Sequence, residues 1–321
     1  MLDLPPEFTQ TIQNTFGEDG KSWLESFPAL LDEAARRWGL TDIRPVPNLS
    51  YNFVAFANIL PSPSGSPTGV LREGVGGEGE IILKLGVPNR ELTSEIAALR
   101  FYDGRGTCRL LDADAEKGVL LLERLQPGHM LSTLTDDEDA TRIAAEVMSQ
   151  LWRHIPENDG DFIQLKDWFA GFQRLRGRFG GGTGPLSKRL VETAESLSKE
   201  LLFENKDEAL LHGDFHHYNV LVSERGWLAI DPKGVIGPRG YEIGPLLINP
   251  IDRFLNEGNP RARTERRIGI LSEMLDMEKD RICSWAICHA VLSAWWSIED
   301  NDPGWGEYSL RCAEIFTQVR L

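Results

Sequence analysis

The sequence has 321 residues, of which 41% are apolar and 26% charged, and its formal net charge is −15. This composition is ordinary for a soluble globular protein and excludes the disordered class, and at about 150 residues per domain the length predicts two lobes. The acidic balance argues against binding to nucleic acid or to a membrane surface, because both depend on clustered Lys and Arg.

The N-terminal part of the chain is predicted to begin with a helix and to continue as a small sheet. Apolar side chains recur at helical spacing from Pro6 to Gly39, and the glycine is a helix stop signal. A Pro/Ser/Gly stretch at 61–67 is interpreted as a surface loop. Strands are predicted at 42–46, 53–60 and 80–85 and, after a helix over 89–101, at 108–114 and 119–123.

Beyond Gly128 the pattern becomes mainly helical. Thr135 to Glu138 has a capping-box pattern, which predicts a helix that runs to His154. Further helices are predicted at 165–179, 187–203, 261–275, 278–298 and 305–319. The chain is therefore divided into an N-terminal helical segment at 1–40, a first lobe at 41–124 and a second lobe at 125–321.

Targeting signals and cysteines indicate the compartment. No apolar run reaches the roughly 18 residues of a membrane span, and the stretch from Met1 to Glu7 has neither the basic start nor the apolar segment of a secretory signal. The 4 cysteines show no CxxC spacing and are interpreted as reduced thiols. We therefore expect a cytoplasmic protein.

The densest polar cluster of the sequence runs from His212 to Asn219 and leads into an apolar strand. Asp214 and Asn219 lie in this loop, and Asp231 ends the next strand, so a hairpin would bring the three side chains together. Phosphoryl transfer needs such a set: a carboxylate orients the attacking hydroxyl, while an amide oxygen and a second carboxylate hold magnesium. The five-residue separation of Asp214 and Asn219 is that of the kinase catalytic loop. The alternative is a polar hairpin whose Asp and Asn only cap turns.

Three motifs carry a family resemblance: His212-Gly213-Asp214 with Asn219, Ile230-Asp231-Pro232-Lys233-Gly234, and the stretch at 240–247. Together they resemble the aminoglycoside phosphotransferase superfamily and, within it, the streptomycin and hydroxyurea kinase-like family, over most of the chain. The resemblance implies an α+β, bilobed protein-kinase-like fold, with an antiparallel-sheet N-terminal lobe that binds nucleotide and a mainly helical C-terminal lobe.

The same resemblance implies roles for particular residues. Asp214 is expected to be the catalytic base, and Asn219 and Asp231 are expected to be magnesium ligands. ATP and Mg²⁺ are the implied cofactors. The implied partner is a small-molecule hydroxyl acceptor, of which an aminoglycoside or aminocyclitol such as streptomycin is the leading candidate. A cationic acceptor is compatible with the net charge of −15.

A nucleotide-binding lysine is predicted upstream. Lys84 is the single cation in the apolar strand at 81–85, where an unpaired charge would be costly. In the kinase-like arrangement this lysine contacts the ATP phosphates and pairs with a glutamate of the following helix. Glu95 is the predicted partner and Glu91 the second choice, whereas an edge-strand lysine that faces water is the structural alternative.

The phosphate loop and the adenine site are predicted less directly. The GxGxxG match at 74–79 precedes a strand rather than a helix, so it is interpreted as a turn and not as a dinucleotide fingerprint. The loop from Asn48 to Asn52 is the better candidate for the phosphates, with the Ser50 hydroxyl as a contact. By resemblance, the backbone of Glu123 and Leu125 is expected at the adenine edge, although a buried strand explains the same residues.

The acceptor site is expected between the catalytic loop and the C-terminal helices. Aromatic and acidic side chains cluster at 294–302, and such a combination suits a polyhydroxylated cation. The structural alternative is a helix whose tryptophans are core and whose acidic end is solvated. The candidates are Trp296, Glu299 and Asp300, with Trp295 and Asp302 in the same segment, and Lys233 as a candidate phosphate contact.

The sequence leaves three alternative functions. His212, Asp214, His216 and His217 could ligate zinc in a metallohydrolase, but that hypothesis gives no role to Asn219 or to the Asp231 strand. A nucleotide-binding pseudokinase is a non-enzymatic alternative. A metabolic kinase for a sugar, an amino alcohol or an amino acid is the main rival within the enzyme class, because specificity resides in a few pocket side chains.

Overall fold

A computed structural model of the chain describes residues 3–59, 79–155, 161–203 and 207–319. The chain separates into two compact units, Met1–Gln126 and Pro127–Leu321. The predicted loop at 61–67, and all but the last residue of the glycine-rich turn at 74–79, lie outside the described residues. Over the described ranges, no helix combines the length and the apolar character that crossing a membrane requires.

The first unit is a long helix followed by an antiparallel sheet with one further helix. The sheet has the strand order β1-β2-β3-β5-β4, and every neighbouring pair is antiparallel. Its elements are α1 (Pro6–Trp38), β1 (Leu40–Pro45), β2 (Phe53–Ile59), β3 (Glu80–Leu85), α2 (Arg90–Tyr102), β4 (Leu110–Asp114) and β5 (Val119–Glu123).

Helix α1 covers one side of this unit with an apolar stripe. Phe8, Trp23 and Phe27 are buried on it, and Phe27 meets Phe53 of β2 edge to face with ring centroids 4.9 Å apart. The helix ends where the sequence predicts, because Gly39 adopts a left-handed φ of 62° that other residues rarely reach. Burial of these aromatic side chains against the sheet is the main stabilising contribution of the helix.

The second unit is mainly helical and contains two small sheets, with strand orders β10-β9-β6 and β7-β11-β8. Its strands are β6 (Pro127–Met130), β7 (Ile163–Gln164), β8 (Glu208–Leu211), β9 (Val220–Ser223), β10 (Gly226–Ala229) and β11 (Val235–Pro238). Its helices are α3 (Asp137–Leu151), α4 (Leu165–Phe169), α5 (Gly171–Arg178), α6 (Lys188–Phe203), α7 (Ile243–Leu247), α8 (Ile251–Phe254), α9 (Pro260–Leu275), α10 (Lys279–Glu299) and α11 (Pro303–Val319).

Helix α10 forms the centre of the second unit. Its side chains from Ile282 to Trp295 are all buried, as expected for a helix that is apolar around its whole circumference. It packs against α6, α7 and α11. Helix α10 is therefore enclosed by other helices of the unit.

Helices α3, α4 and α5 differ from the sequence prediction in more than a terminal residue. Asp136, rather than Thr135, caps α3: its carboxylate accepts hydrogen bonds from the N–H groups of Glu138 and Asp139, so the expected capping box does not form. This helix ends at Leu151, before the predicted end at His154. The single helix predicted over 165–179 is two helices, which meet at Ala170.

Candidate active site

The predicted catalytic loop connects β8 to β9. Gly213 has a φ of 86°, and a Cβ placed on it would lie 2.6 Å from the Val235 side chain and 3.0 Å from the Trp168 ring. Only glycine fits this position without strain or displacement of a neighbour. The chain therefore turns sharply just before Asp214, and this turn fixes the direction in which the aspartate leaves the sheet.

Glu242 anchors the loop from beneath. Its two carboxyl oxygens accept hydrogen bonds from the N–H groups of His212 (2.7 Å) and Gly213 (2.8 Å). The side chain is fully buried, and burial raises its pKa to about 8 against the lowering effect of these two hydrogen bonds. Glu242 has no predicted role, although it is a lone acid in the largely apolar stretch at 240–247, which is a signal for a buried polar contact.

Asp214 combines partial exposure with a positive surrounding. Its side chain is 42% exposed, so a hydroxyl group can reach it, and its Oδ1 lies 3.5 Å from Nε2 of His216. Desolvation raises the pKa of Asp214, but the electrostatic influence of the neighbouring His216 and Lys233 outweighs it and leaves the pKa below its ordinary value. The carboxylate is therefore ionised at neutral pH and available as a hydrogen-bond acceptor.

Asn219 and Asp231 lie at the same end of the β9–β10 hairpin. The register pairs Val220 with Ala229, and the N–H of Ile230 donates to the carbonyl of Asn219 at 2.9 Å. The Asn219 amide nitrogen donates to the Asp214 carbonyl at 3.0 Å, while its Oδ1 has no hydrogen-bond partner within the described part of the chain. An amide oxygen and a carboxylate at one end of a hairpin are donor types that suit a hard cation such as magnesium.

The histidines of the loop do not form a zinc site. Both ring nitrogens of His212 are used, Nε2 with the carbonyl of Ile230 at 2.7 Å and Nδ1 with the N–H of Asp214 at 3.3 Å. Burial lowers the pKa of His212 to about 4, so the ring is neutral and orients the loop through these bonds. Over residues 3–59, 79–155, 161–203 and 207–319, no three His, Cys, Asp or Glu side chains are placed to hold a metal ion.

In the first unit, the structure brings Lys84 and Glu95 together. The lysine Nζ lies 2.7 and 2.9 Å from the two carboxylate oxygens of Glu95. Both side chains are buried, with 4% and 8% of their surface exposed. Glu91, the second choice, lies on the exposed side of α2 in the first turn after the Asn89 cap. The role of this ion pair in nucleotide binding stays a prediction.

The other predicted nucleotide residues have separate positions in the first unit. Ser50 is exposed in the loop between β1 and β2. Glu123 ends β5, and its side chain accepts a hydrogen bond from the N–H of Arg109 at 2.9 Å, which ties it to the segment before β4. Leu125 lies two residues after Glu123 and is 6% exposed. The structure therefore gives the Glu123 carboxylate a structural contact.

The predicted acceptor residues fall into two groups. Trp296 is partly exposed, and Lys233 borders the catalytic loop, since its N–H donates to the His212 carbonyl at 2.6 Å. Glu299 makes a two-point ion pair with Arg174 at 2.9 and 3.1 Å, and Asp300 ends α10. The neighbouring Trp295 is core, with 1% exposure, and Asp302 accepts a hydrogen bond from the N–H of Trp305 near the start of α11.

A buried histidine beside the site predicts sensitivity to acid. His289 is 5% exposed, its Nδ1 lies 3.0 Å from the Tyr241 hydroxyl, and burial lowers its pKa to about 4 from 6.5. The unfolded chain then binds more protons than the folded protein between these values, so stability falls as the pH drops from 6.5 toward 4. At pH 5, we expect this one histidine to account for a loss of about 1–2 kcal/mol.

Thermal or urea unfolding between pH 7.5 and 5 measures this effect. His289→Gln is expected to lose less stability on acidification than the wild type does. His129→Gln replaces an exposed histidine and is expected to keep the wild-type slope. Equal slopes in all three proteins would show that His289 is not the group that takes up the proton.

The chain matches a known protein family over most of its length. The family described as aminoglycoside/hydroxyurea antibiotic resistance kinase matches residues 70–301. The streptomycin 6-kinase of Streptomyces glaucescens is 30% identical over 304 residues, which are 94% of this chain and 92% of that protein. The hydroxyurea phosphotransferase of Kitasatospora aureofaciens is 30% identical over 320 residues, 98% of this chain and 86% of that protein.

Solved structures of similar fold include a thermostable mutant of the aminoglycoside phosphotransferase APH(4)-Ia in a ternary complex with ADP and hygromycin B. Its TM-score is 0.62 at 12% identity, over 90% of this chain and 97% of that one. The Plasmodium vivax ethanolamine kinase has a TM-score of 0.63 at 12% identity, over 88% of this chain and 83% of that one. At these identities the likeness concerns the fold alone, and the kinase-like fold that the sequence predicts is confirmed.

Proposed function

Since the chain belongs to the aminoglycoside/hydroxyurea antibiotic resistance kinase family and is a small-molecule phosphotransferase, we propose that it transfers the γ-phosphate of ATP to a hydroxyl of an aminocyclitol antibiotic such as streptomycin. The observation that carries the proposal is the ionised, partly exposed Asp214 on a loop anchored by Glu242. Two Streptomyces streptomycin 6-kinases that align with 94% of the chain support the choice of acceptor.

In the proposed reaction, Asp214 orients the acceptor hydroxyl and accepts its proton as the oxygen attacks phosphorus in line. A new oxygen–phosphorus bond forms, and the bond from the γ-phosphorus to the bridging oxygen breaks. ADP leaves with that electron pair. The proton passes from Asp214 to solvent after the product departs, and this returns the carboxylate to its ionised form.

Asn219 and Asp231 would hold magnesium, which when bound offsets the negative charge of the phosphates. Asn219 is prepared for this role because its amide nitrogen is fixed on the Asp214 carbonyl, which sets the direction of its amide oxygen. Asp231 has a left-handed φ of 58°, so its backbone turns sharply where the hairpin ends. Aspartate is one of the residues that tolerate this conformation.

Lys84 would bind phosphate oxygens of the nucleotide, with Glu95 fixing its ammonium group. Ser50 is exposed and carries a hydroxyl in the loop predicted to reach the phosphates. The backbone around Glu123 and Leu125 would accept the adenine edge. These assignments follow the kinase-like arrangement of the family and complete the nucleotide part of the proposal.

Substitution of the proposed magnesium ligands is expected to alter the response to metal. Asp231→Asn and Asn219→Ala should each raise the magnesium concentration that gives half-maximal activity by about tenfold or more, because a ligand is weakened or lost. Asn256→Ala removes an exposed amide that bonds the carbonyl of Asp252 and serves as the control. An unchanged magnesium response in both ligand variants would remove them from the metal site.

The proposal is tested by incubating the protein with γ-labelled ATP and magnesium across a panel of acceptors. The panel includes streptomycin, other aminocyclitols, hydroxyurea, sugars and amino alcohols. We expect label on an aminocyclitol and no label after chelation of magnesium. Transfer only to a sugar or an amino alcohol would replace the antibiotic with a metabolite, and nucleotide binding without any transfer would support a pseudokinase.

A further inference from the structure

Two tryptophans border the catalytic loop within the second unit. Trp168 of α4 is so close to Gly213 that its Cη2 atom lies 3.0 Å from the position a Cβ would take there. Gly213 precedes Asp214 directly, so the tip of this indole abuts the backbone that carries the proposed base. Its partner indole, Trp296, comes from α10 and lies 128 residues further along the sequence, so the fold alone brings the two rings together.

The two indoles stand nearly at right angles. The ring centroids of Trp168 and Trp296 are 5.5 Å apart, with an interplanar angle of 84°. Trp168 also meets Tyr241 edge to face at 5.8 Å, and Trp296 meets His289 at 6.2 Å. Because Tyr241 and His289 are joined at 3.0 Å, the pair of indoles rests on a buried, hydrogen-bonded support.

The pair differs in exposure from the other tryptophans of α10. Trp285 and Trp295 are core residues, with 0% and 1% of their surface exposed. Trp168 and Trp296 pack on the buried support with part of each indole left exposed. Rigid, partly exposed aromatic rings beside a catalytic group are typical of ligand-binding surfaces.

The surroundings of the indoles are suited to a cation. Asp167 precedes Trp168 and is exposed, and the N–H of Asp300 donates to the carbonyl of Trp296 at 2.8 Å. Trp296 therefore lies in the last turn of the 21-residue helix α10, where the helix dipole presents partial negative charge. The ionised Asp214 adds a negative charge on the loop that Trp168 touches, and Lys233, which borders the same turn, offsets part of it.

We propose that Trp168 and Trp296 form an acceptor wall that binds a guanidinium or ammonium group of a hydroxylated substrate against the indole faces. This inference rests on the proposed function and specifies its substrate class. A cation held over an indole is stabilised by the ring quadrupole, and the gain is largest when the cation is desolvated. A neutral acceptor such as hydroxyurea receives no such contribution, so the wall favours cationic aminocyclitols over it.

The test is a calorimetric titration of streptomycin, which carries guanidinium groups, into protein saturated with magnesium and a non-hydrolysable ATP analogue. Trp168→Leu and Trp296→Leu are each expected to raise the Kd by about 2- to 30-fold, the range of one cation–π contact. Trp305→Leu is the matched control: this tryptophan is also partly exposed, but it stacks on Tyr308 of α11. Its Kd is expected to equal that of the wild type.

Each outcome decides the inference. No binding to the wild type, or equal Kd values in the wild type and both indole variants, overturns the acceptor wall. Where a leucine variant does not fold, Trp168→Phe and Trp296→Phe replace it, with an increase of about 2- to 5-fold expected from the weaker quadrupole of phenylalanine. If streptomycin binding depends on the indoles but no phosphate is transferred, the proposed function alone is refuted. If phosphate is transferred and the indole variants behave as the wild type does, the acceptor wall alone is refuted.

Discussion

Replacement of Asp214 with asparagine is expected to lower kcat for phosphate transfer by at least about 100-fold, because a positioned base contributes that much or more. The variant keeps the size of the side chain and removes its ability to accept the hydroxyl proton. The hydrogen bonds that hold this residue in the loop use its backbone: its N–H donates to His212, and its carbonyl accepts from Asn219. The loop should therefore keep its shape in the variant.

This expectation separates a catalytic effect from a structural one. The melting temperature of Asp214→Asn should stay close to that of the wild type, and its KM for ATP should change much less than its kcat. Asp276→Asn is a suitable control, because this exposed aspartate adopts a left-handed φ of 51° that asparagine also accepts. A kcat for Asp214→Asn within about tenfold of the wild type would remove this residue from the role of base.

The buried ion pair of Lys84 and Glu95 predicts the largest effect on stability. Removing one partner, as in Lys84→Ala, takes the ion-pair cation away from the buried Glu95 carboxylate and is expected to cost about 3–5 kcal/mol of unfolding free energy. Both side chains are almost inaccessible, with 4% and 8% exposure, so water cannot replace the lost partner. The loss of unfolding free energy is measured by urea unfolding of the protein.

A double variant distinguishes stability from function. Lys84→Met with Glu95→Leu replaces the pair by apolar side chains of similar size, and such a change is often neutral or stabilising. We expect it to regain most of the stability lost in Lys84→Ala while nucleotide binding stays impaired, since no ammonium group remains for the phosphates. Lys117→Ala, which breaks the exposed pair with Glu33, serves as the control and should unfold almost as the wild type does. Full nucleotide affinity in the double variant would assign the pair to the core alone.

Local spacing made the central part of the site predictable. Asp214 and Asn219 are five residues apart on one loop, and Asp231 follows the partner strand of the same hairpin, so short-range rules bring the three residues to one end. Lys84 and Glu95 are similarly predictable, because a single cation in an apolar strand needs a partner and the next helix offers only two glutamates in its first half.

The remaining features of the site depend on long-range packing and could not be predicted from local sequence patterns. Glu242 lies 30 residues after His212 in sequence. No periodic pattern shows that its carboxyl group accepts hydrogen bonds from the N–H groups of the loop. Trp168 and Trp296 meet only because α4 packs beside α10. The break at Ala170 was also missed, since apolar positions on both sides continue a helical pattern. Tertiary contacts outweigh local propensity in each of these cases.

The most direct measurement is whether the γ-phosphate of ATP becomes covalently attached to streptomycin in the presence of this protein and magnesium. Mass spectrometry of the antibiotic after incubation reads the result, with Asp214→Asn run in parallel. The proposed function predicts streptomycin that carries one added phosphate group with the wild type and almost none with the variant. Unmodified streptomycin after incubation with folded protein that binds the nucleotide, or equal modification by the variant, would contradict it.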